Sequence, residues 1–165
     1  NNYIYQLVRR AAPPYLSFSD QEKQQVKLNY YDFRKTVIST DGYIVKNVYL
    51  DEKMESGKWA ERESAYLLNY KNENLLQVFV IIPSVDKYLS STGTKKIDVY
   101  INHNFIFQYE IIGSGLQEIT IPFTIDDPQN YLEVELSSNF NVISEQDTRD
   151  LSFIIQAIGT LQNKE

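Results

Sequence analysis

The chain has 165 residues, of which 42% are hydrophobic and 13% aromatic, with a net charge of −6 and no cysteine. That length suits one domain with a core large enough to stand without covalent staples. The negative charge argues against a phosphate-tracking surface, so nucleic acid is set aside as a partner. The lack of cysteine excludes disulfides, thiol nucleophiles and thiolate metal sites but leaves the compartment open.

The chain begins at Asn1 instead of Met, as expected of a processed product or a piece of a longer protein. Asn1 to Arg10 mixes aromatic residues with Arg9 and Arg10, and Ala11-Ala12-Pro13-Pro14 then interrupts any regular element, because proline lacks the donor and restricts its predecessor. Ser19 with Glu22 forms a capping box, and Val26, Tyr30 and Phe33 recur at helical spacing, which predicts a helix from about Asp20 to Arg34. Residues 1–35 therefore read as a flanking segment with its helix at about 20–34, and residues 36–165 as the folded domain.

From Thr36 onward, short β-branched and aromatic runs alternate with Asn, Asp, Gly and Ser clusters, the pattern of an all-β domain. Strands are predicted near Tyr43–Leu50, Trp59–Asn69, Leu75–Ile82, Ile97–Ile101, Phe105–Ile112, Gln117–Phe123, Tyr131–Leu136 and Ser152–Leu161, with a short helix at Val85–Leu89. In Ile97-Asp98-Val99-Tyr100-Ile101 the odd positions should face a core and the even ones water. The same alternation sets Leu132, Val134 and Leu136 inward and Glu133 and Glu135 outward. Asn102-His103-Asn104 reads as a tight hairpin turn, since asparagine tolerates positive φ. Gly113-Ser114-Gly115 marks a second turn and Asp126-Asp127-Pro128-Gln129-Asn130 a longer one. Strand follows strand without helical crossovers, so the expected fold is an antiparallel two-sheet β-sandwich, jelly-roll-like, of about eight strands. No stretch approaches the roughly 18 to 20 apolar residues that span a bilayer, so direct membrane insertion of this segment is not expected.

Few residues point to chemistry. His103 is the single histidine and reads as an exposed turn residue without a second imidazole or thiol to share a metal. No nucleophile elbow, zinc-binding helix motif or phosphate loop is present. Asp51-Glu52, Glu61 with Glu63, and Asp126-Asp127 offer carboxylates that a glycan hydrolase would need in pairs, but strand spacing brings no particular pair together. The same acidic loops leave room for a structural Ca²⁺, although no EF-type spacing occurs and no cofactor is expected. Trp59 and the tyrosines, Tyr43 among them with Tyr49, Tyr66 and Tyr70, suit an apolar platform for the C–H faces of a sugar, although a single large aromatic in a β domain more often packs in the core or at its rim. Asp147 and Arg149 stand two apart on a turn leading into the last strand, where charge-assisted bonds would hold the turn and Arg149 would reach a carboxylate such as Glu61 or Glu63. Arg149 as a ligand for an anionic group is the functional alternative.

Taken in order, Asp41-Gly42-Tyr43, Gly57-Lys58-Trp59, Ile81-Ile82-Pro83, Val99-Tyr100-Ile101-Asn102, Ile119-Thr120-Ile121-Pro122 and Asp147-Thr148-Arg149-Asp150-Leu151 carry a family likeness. From about Asp41 to Leu161 the chain resembles the accessory β-sandwich domains attached to bacterial cell-surface glycosyltransferases and polysaccharide-assembly membrane proteins. Those domains read Gly-Trp/Tyr, Arg-Trp, Val-Asn-Gly and Asp-x-Arg-x-Leu-Gly; here Lys58 replaces the arginine, His103 follows Asn102 and Ser152 follows Leu151 in place of glycine. The resemblance implies a non-catalytic, carbohydrate-binding-like module, extracytoplasmic and tethered to a membrane-embedded parent. A glycan and the neighbouring membrane domain are then the expected partners, and Trp59, Tyr43, Glu61, Arg149 and Asp147 the candidate ligand-binding residues. A protein–protein assembly module of the cell envelope is the rival reading.

Overall fold

A computed structural model describes residues 16–34, 42–84, 88–90, 93–126 and 128–163. Its elements are helix α1 (Asp20–Gln25) and strands β1 (Tyr30–Asp32), β2 (Val45–Val48), β3 (Lys58–Asn69), β4 (Leu75–Ile82), β5 (Tyr88–Ser90), β6 (Lys96–Ile101), β7 (Asn104–Glu110), β8 (Gly115–Pro122), β9 (Tyr131–Ser138), β10 (Phe140–Val142) and β11 (Leu151–Leu161). All pairings among them are antiparallel.

Two long strands turn one hydrogen-bonded sheet into a sandwich. The order is β7-β6-β9-β3-β11-β4-β8, with β1 added to β11 and β2 to β3. At about 3.3 Å per residue β3 spans roughly 40 Å, more than one layer needs. Its C-terminal half lies between β9 and β2, and its first residues pair with the start of β11. β11 in turn lies between β3 and β4 over its first half and between β1 and β4 over its second, with register shifts that let it bend. One layer is thus β7-β6-β9-β3-β2 and the other is built on β11, β4 and β8.

The core fills the space between them. Alternate residues of each strand point inward: Leu76, Val78, Val80 and Ile82 of β4, Ile119 and Ile121 of β8, Ile97, Val99 and Ile101 of β6, and Leu132, Val134 and Leu136 of β9 belong to one buried cluster with Tyr66, Leu68, Phe153, Ile155 and Ile158. β4 and β8, both expected as strands, alternate buried and accessible residues. The hairpin at Asn102-His103 is also as predicted, a two-residue loop with φ of 49° and 69° that suits right-twisted strands. Asn102 is further pinned to β9, its N–H donating to the Glu133 carbonyl (2.8 Å) and its Oδ1 accepting the Glu133 N–H (2.9 Å).

Four expectations are corrected. On β6 the even positions do not face water: Asp98 (5% exposed) and Tyr100 (2%) are buried like Ile97, Val99 and Ile101. The helix spans Asp20–Gln25 only. Its capping box is present, but Val26 is already extended (φ −65°, ψ 130°) and Tyr30–Asp32 pairs with Ala157–Gly159 of β11. A strand's pairing with a central neighbour outweighs the weak helical spacing of Tyr30 and Phe33. Of the helix predicted at Val85–Leu89, residues 85–87 lie outside the described residues, while Tyr88 and Leu89 belong to β5, paired with β10. The eight predicted strands are all present, and among the described residues three more, β1, β5 and β10, add three residues each. Finally, the outer face of β9 is not wet. Glu133 and Glu135 are 5% and 4% exposed, because residues 16–26 lie across β9 and β3 with Phe18 and Val26 packed on Ala65 and Leu67.

Candidate ligand-binding site

Gly57 starts the site. At φ +150° it lets the chain enter β3 with its Cα pressed on β11, so that Trp59 pairs with Ile154 and Lys58 with Ile155. Inward-facing Lys58 is buried, its Nζ donating to the carbonyls of Met54 (3.2 Å) and Phe33 (3.4 Å), and burial lowers its pKa. Outward, on the other face of the strand, come Trp59 and Glu61, both partly exposed. Register continues this outer row from Trp59 through Ile154 and Ile81 to Leu116, which is 57% exposed. An indole is thereby set in line with aliphatic side chains across four neighbouring strands, β3, β11, β4 and β8, Ile154 being the buried member (9% exposed).

Polar groups border the indole on one side. The Tyr49 N–H donates to the Trp59 carbonyl (3.0 Å), and the Tyr49 hydroxyl donates to Glu61 Oε2. The bond to Glu61 is the main cause that pushes the Tyr49 hydroxyl up to about 12. The Arg149 guanidinium lies 4.3 Å from the Tyr49 ring centroid. It holds Asp147 through Nε (3.0 Å) and Nη2 (2.7 Å), and Glu52 through Nη1 and Nη2, both at 3.2 Å. Asp147 also accepts the Arg149 N–H (3.1 Å), closing the turn before β11. Next to it, Arg62 donates to Asp150 (2.9 Å). The sequence placed the Asp147–Arg149 clamp on this turn; the carboxylate Arg149 reaches is Glu52, with Glu61 one link further through Tyr49.

The structure therefore brings Trp59, Glu61, Arg149 and Asp147 to one region, joined by Tyr49 and Glu52, which the sequence offered only among the tyrosines and paired carboxylates and not as ligand-binding residues. Tyr43 stands apart. Its ring stacks on Tyr31 (4.7 Å) and meets Phe33 edge-on (5.7 Å), and its hydroxyl donates to the Asp32 carbonyl (3.0 Å).

The Arg149 clamp also sets an acid response. Bonds from the Arg149 side chain, and then from its N–H, hold the Asp147 carboxyl down at about 2, against an ordinary 3.8. A depressed carboxyl adds stability that is present above pH 3.8 and is lost as pH falls through about 2. Tyr49 fluorescence and near-ultraviolet dichroism are expected to change over that window in the wild type, and Asp147→Asn should abolish the step.

A second set of titratable groups lies under residues 16–23. The Phe18 N–H donates to Glu133 Oε1 and the Leu16 N–H to Glu135 Oε2, each at 3.3 Å. Lys23 Nζ is 3.5 Å from Glu133, and His103 Nε2 is 3.2 Å from Glu133 and 3.7 Å from Glu135. His103 is thus a turn residue leaning on buried carboxylates. Its signal in the sequence was the alternation Glu133-Val134-Glu135, on the strand β9 that pairs directly with β6 beside the hairpin; what was missing is the cover. Among the described residues no group of three or more His, Cys, Asp or Glu is placed to hold a metal ion. A cleft of about 750 Å³ lies at the end of the same layer, walled by Lys23, Val26, Asn69, Tyr70, Asn130 and Tyr131, none of them among the predicted ligand-binding residues.

No protein-family model matches the chain, and no curated protein matches it. Solved structures do. The CBM51-2 and INT domains of Clostridium perfringens ZmpB align with a TM-score of 0.41 at 12% identity, over 84% of this chain and 29% of that one. The CBM36-1 domain of a multidomain xylanase from the hindgut metagenome of Trinervitermes trinervoides gives 0.42 at 12% identity, over 83% of this chain and 100% of that one. A family 35 carbohydrate-binding module from Clostridium thermocellum gives 0.43 at 8%, over 81% and 98%. This chain spans less than a third of the ZmpB structure it matches. Likenesses this distant carry no ligand and no site residue across to this chain.

Proposed function

We propose that this chain is a non-catalytic carbohydrate-binding module, an accessory domain of a larger extracytoplasmic protein of surface-glycan assembly. The observation that supports it is the outer row headed by Trp59: a partly exposed indole in line with Ile154, Ile81 and Leu116, bordered by Glu61, Tyr49 and Arg149. A pyranose needs an apolar platform for its C–H face and oriented oxygens and N–H groups at the rim, and this face supplies both. Catalysis is a poorer fit. Asp147 and Glu52 are tied to Arg149, and a carboxyl held down at about 2 has no proton to give near neutral pH. The parent and its membrane tether follow from the resemblance carried by Gly57-Lys58-Trp59 and Asp147-Thr148-Arg149-Asp150-Leu151.

The test is a screen of surface-polysaccharide fragments by glycan array, with calorimetry on each hit, run with and without Ca²⁺. Trp59→Ala is expected to weaken the best hit by about 10- to 100-fold, the worth of one stacked aromatic ring at roughly 1–3 kcal/mol. Tyr43→Phe, placed in the Tyr31 and Phe33 cluster, should leave affinity unchanged. Undiminished binding by a folded Trp59→Ala protein overturns the proposal.

A further inference from the structure

Residues 16–26 are held to the sandwich by an unusual set of contacts. Apolar packing accounts for part: Phe18 (4% exposed) and Val26 (6%) cover Ala65 and Leu67, with Leu16, Ile44 and Tyr131 at the margin. The rest is polar and converges on two adjacent carboxylates of β9. Two main-chain N–H groups of the segment, those of Leu16 and Phe18, end on Glu135 and Glu133, and Lys23 of α1 pairs with Glu133.

The cover leaves two carboxylate oxygens without a hydrogen-bonding partner. Glu135 Oε1 is buried with none, and so is Glu63 Oε2 on β3, one residue pair further along the same face. A buried carboxylate oxygen with no donor is costly when ionised and cheap when it carries a proton. The groups facing Glu135 are Glu133 on its own strand, Glu63 and Ala65 on β3, Tyr100 opposite it on β6, His103 in the β6–β7 turn, Lys23 on α1 and, across β3 on β2, Lys46, whose Nζ sits over the Phe18 ring. Lys23 Nζ lies 3.5 Å from Glu133, and His103 Nε2 is nearer to Glu133 (3.2 Å) than to Glu135 (3.7 Å), so an ionised Glu135 meets two carboxylates with the imidazole as its nearest basic group.

We propose that residues 16–26 form a pH-sensitive strap, docked on the outer face of β3 and β9 in mild acid and loosened as pH rises, with Glu135 as the group that sets the response. Burial first, and the charges of Glu133 and Glu63 with it, raise the Glu135 carboxyl to about 7 from an ordinary 4.5, against the opposing bond from Leu16. Between those values the docked strap retains a proton that the detached one releases. Docking is therefore strongest below pH 4.5 and weakens as pH climbs through about 7. Lifting the strap returns Glu135 to water, which ends the cost of its ionisation and frees the amides of Leu16 and Phe18.

Amide hydrogen exchange on the full chain tests this directly. Corrected for the intrinsic rate, protection of the Phe18 amide should fall tenfold or more between pH 5.5 and 8.0, while Val78 and Ile155 in the core keep theirs. Glu135→Gln keeps an oxygen for the Leu16 amide but cannot ionise, and its Phe18 protection should be independent of pH. Glu63→Gln touches neither strap contact and should reduce the fall without removing it. Unchanged Phe18 protection across this range in the wild type overturns the proposal, as does an equal fall in Glu135→Gln or in Glu63→Gln.

Discussion

Gly57→Ala is expected to destabilise the protein by about 3 kcal/mol or more, the scale of a severe backbone and overpacking conflict. A Cβ at this position would stand 2.4 Å from the Ile155 carbonyl oxygen and 2.8 Å from Ile154 Cγ2. The first of these is backbone in the middle of β11, which is paired on both sides and has nowhere to retreat. The residue also holds φ +150°, which side chains rarely adopt. Two costs therefore add. The same displacement would move Trp59, which pairs with Ile154, so the substitution should impair the ligand face together with stability. Urea unfolding measures the first effect; a midpoint within error of the wild type would show that β3 and β11 can separate there at little cost.

Tyr31→Ala should cost about 4 kcal/mol and Tyr31→Phe about 1–2 kcal/mol, the difference separating the ring from its hydroxyl. The ring is fully buried, stacked on Tyr43 and edge-on to Phe33. The hydroxyl donates to the Leu67 carbonyl and accepts the Ile44 N–H (3.3 Å), joining β1 to β3 and to the entry of β2. Its burial pushes the phenol up to about 12, so no stability change from this group is expected below pH 10. Equal losses for the two variants would mean that the hydroxyl, not the ring, holds β1 in place. Equilibrium unfolding of both proteins at one pH decides between these outcomes.

The parts legible in the sequence are those set by local alternation. β4 and β8 show one face buried and one accessible, and that period is written in Leu76, Val78, Val80 and Ile82 or in Ile119 and Ile121. The Asn102-His103 turn was legible for a different reason, the tolerance of asparagine for positive φ. Strands β1, β5 and β10 were not, because three residues hold no period and their existence depends on a partner strand far away in the chain.

Glu133 and Glu135 mark the limit most plainly. Alternation states that they share a face, and it does so correctly, but what lies over that face comes from Leu16 and Phe18, 119 and 115 residues earlier. A charged residue on the outer side of a strand looks solvated until a remote segment covers it. At the candidate site the clamp of Asp147 and Arg149 was readable because the two are neighbours in sequence. The link from Arg149 to Glu52 crosses 97 residues, and the stacking of Arg149 on Tyr49 depends on how β2 leaves the sheet, which no spacing encodes. Tyr43 and Trp59 were equal candidates as aromatic residues. Only packing distinguishes them, one turned into the Tyr31 and Phe33 cluster and the other onto the outer row.

The measurement that tests the carbohydrate-binding account most directly is a backbone and indole chemical-shift titration with the best-binding surface-polysaccharide fragment. The account predicts that the Trp59 indole N–H and the amides of Glu61, Tyr49, Arg149 and Ile154 shift together along one saturating curve. Shifts confined to Asn69, Asn130 and Tyr131 around the 750 Å³ cleft, with the Trp59 indole unmoved, would contradict it.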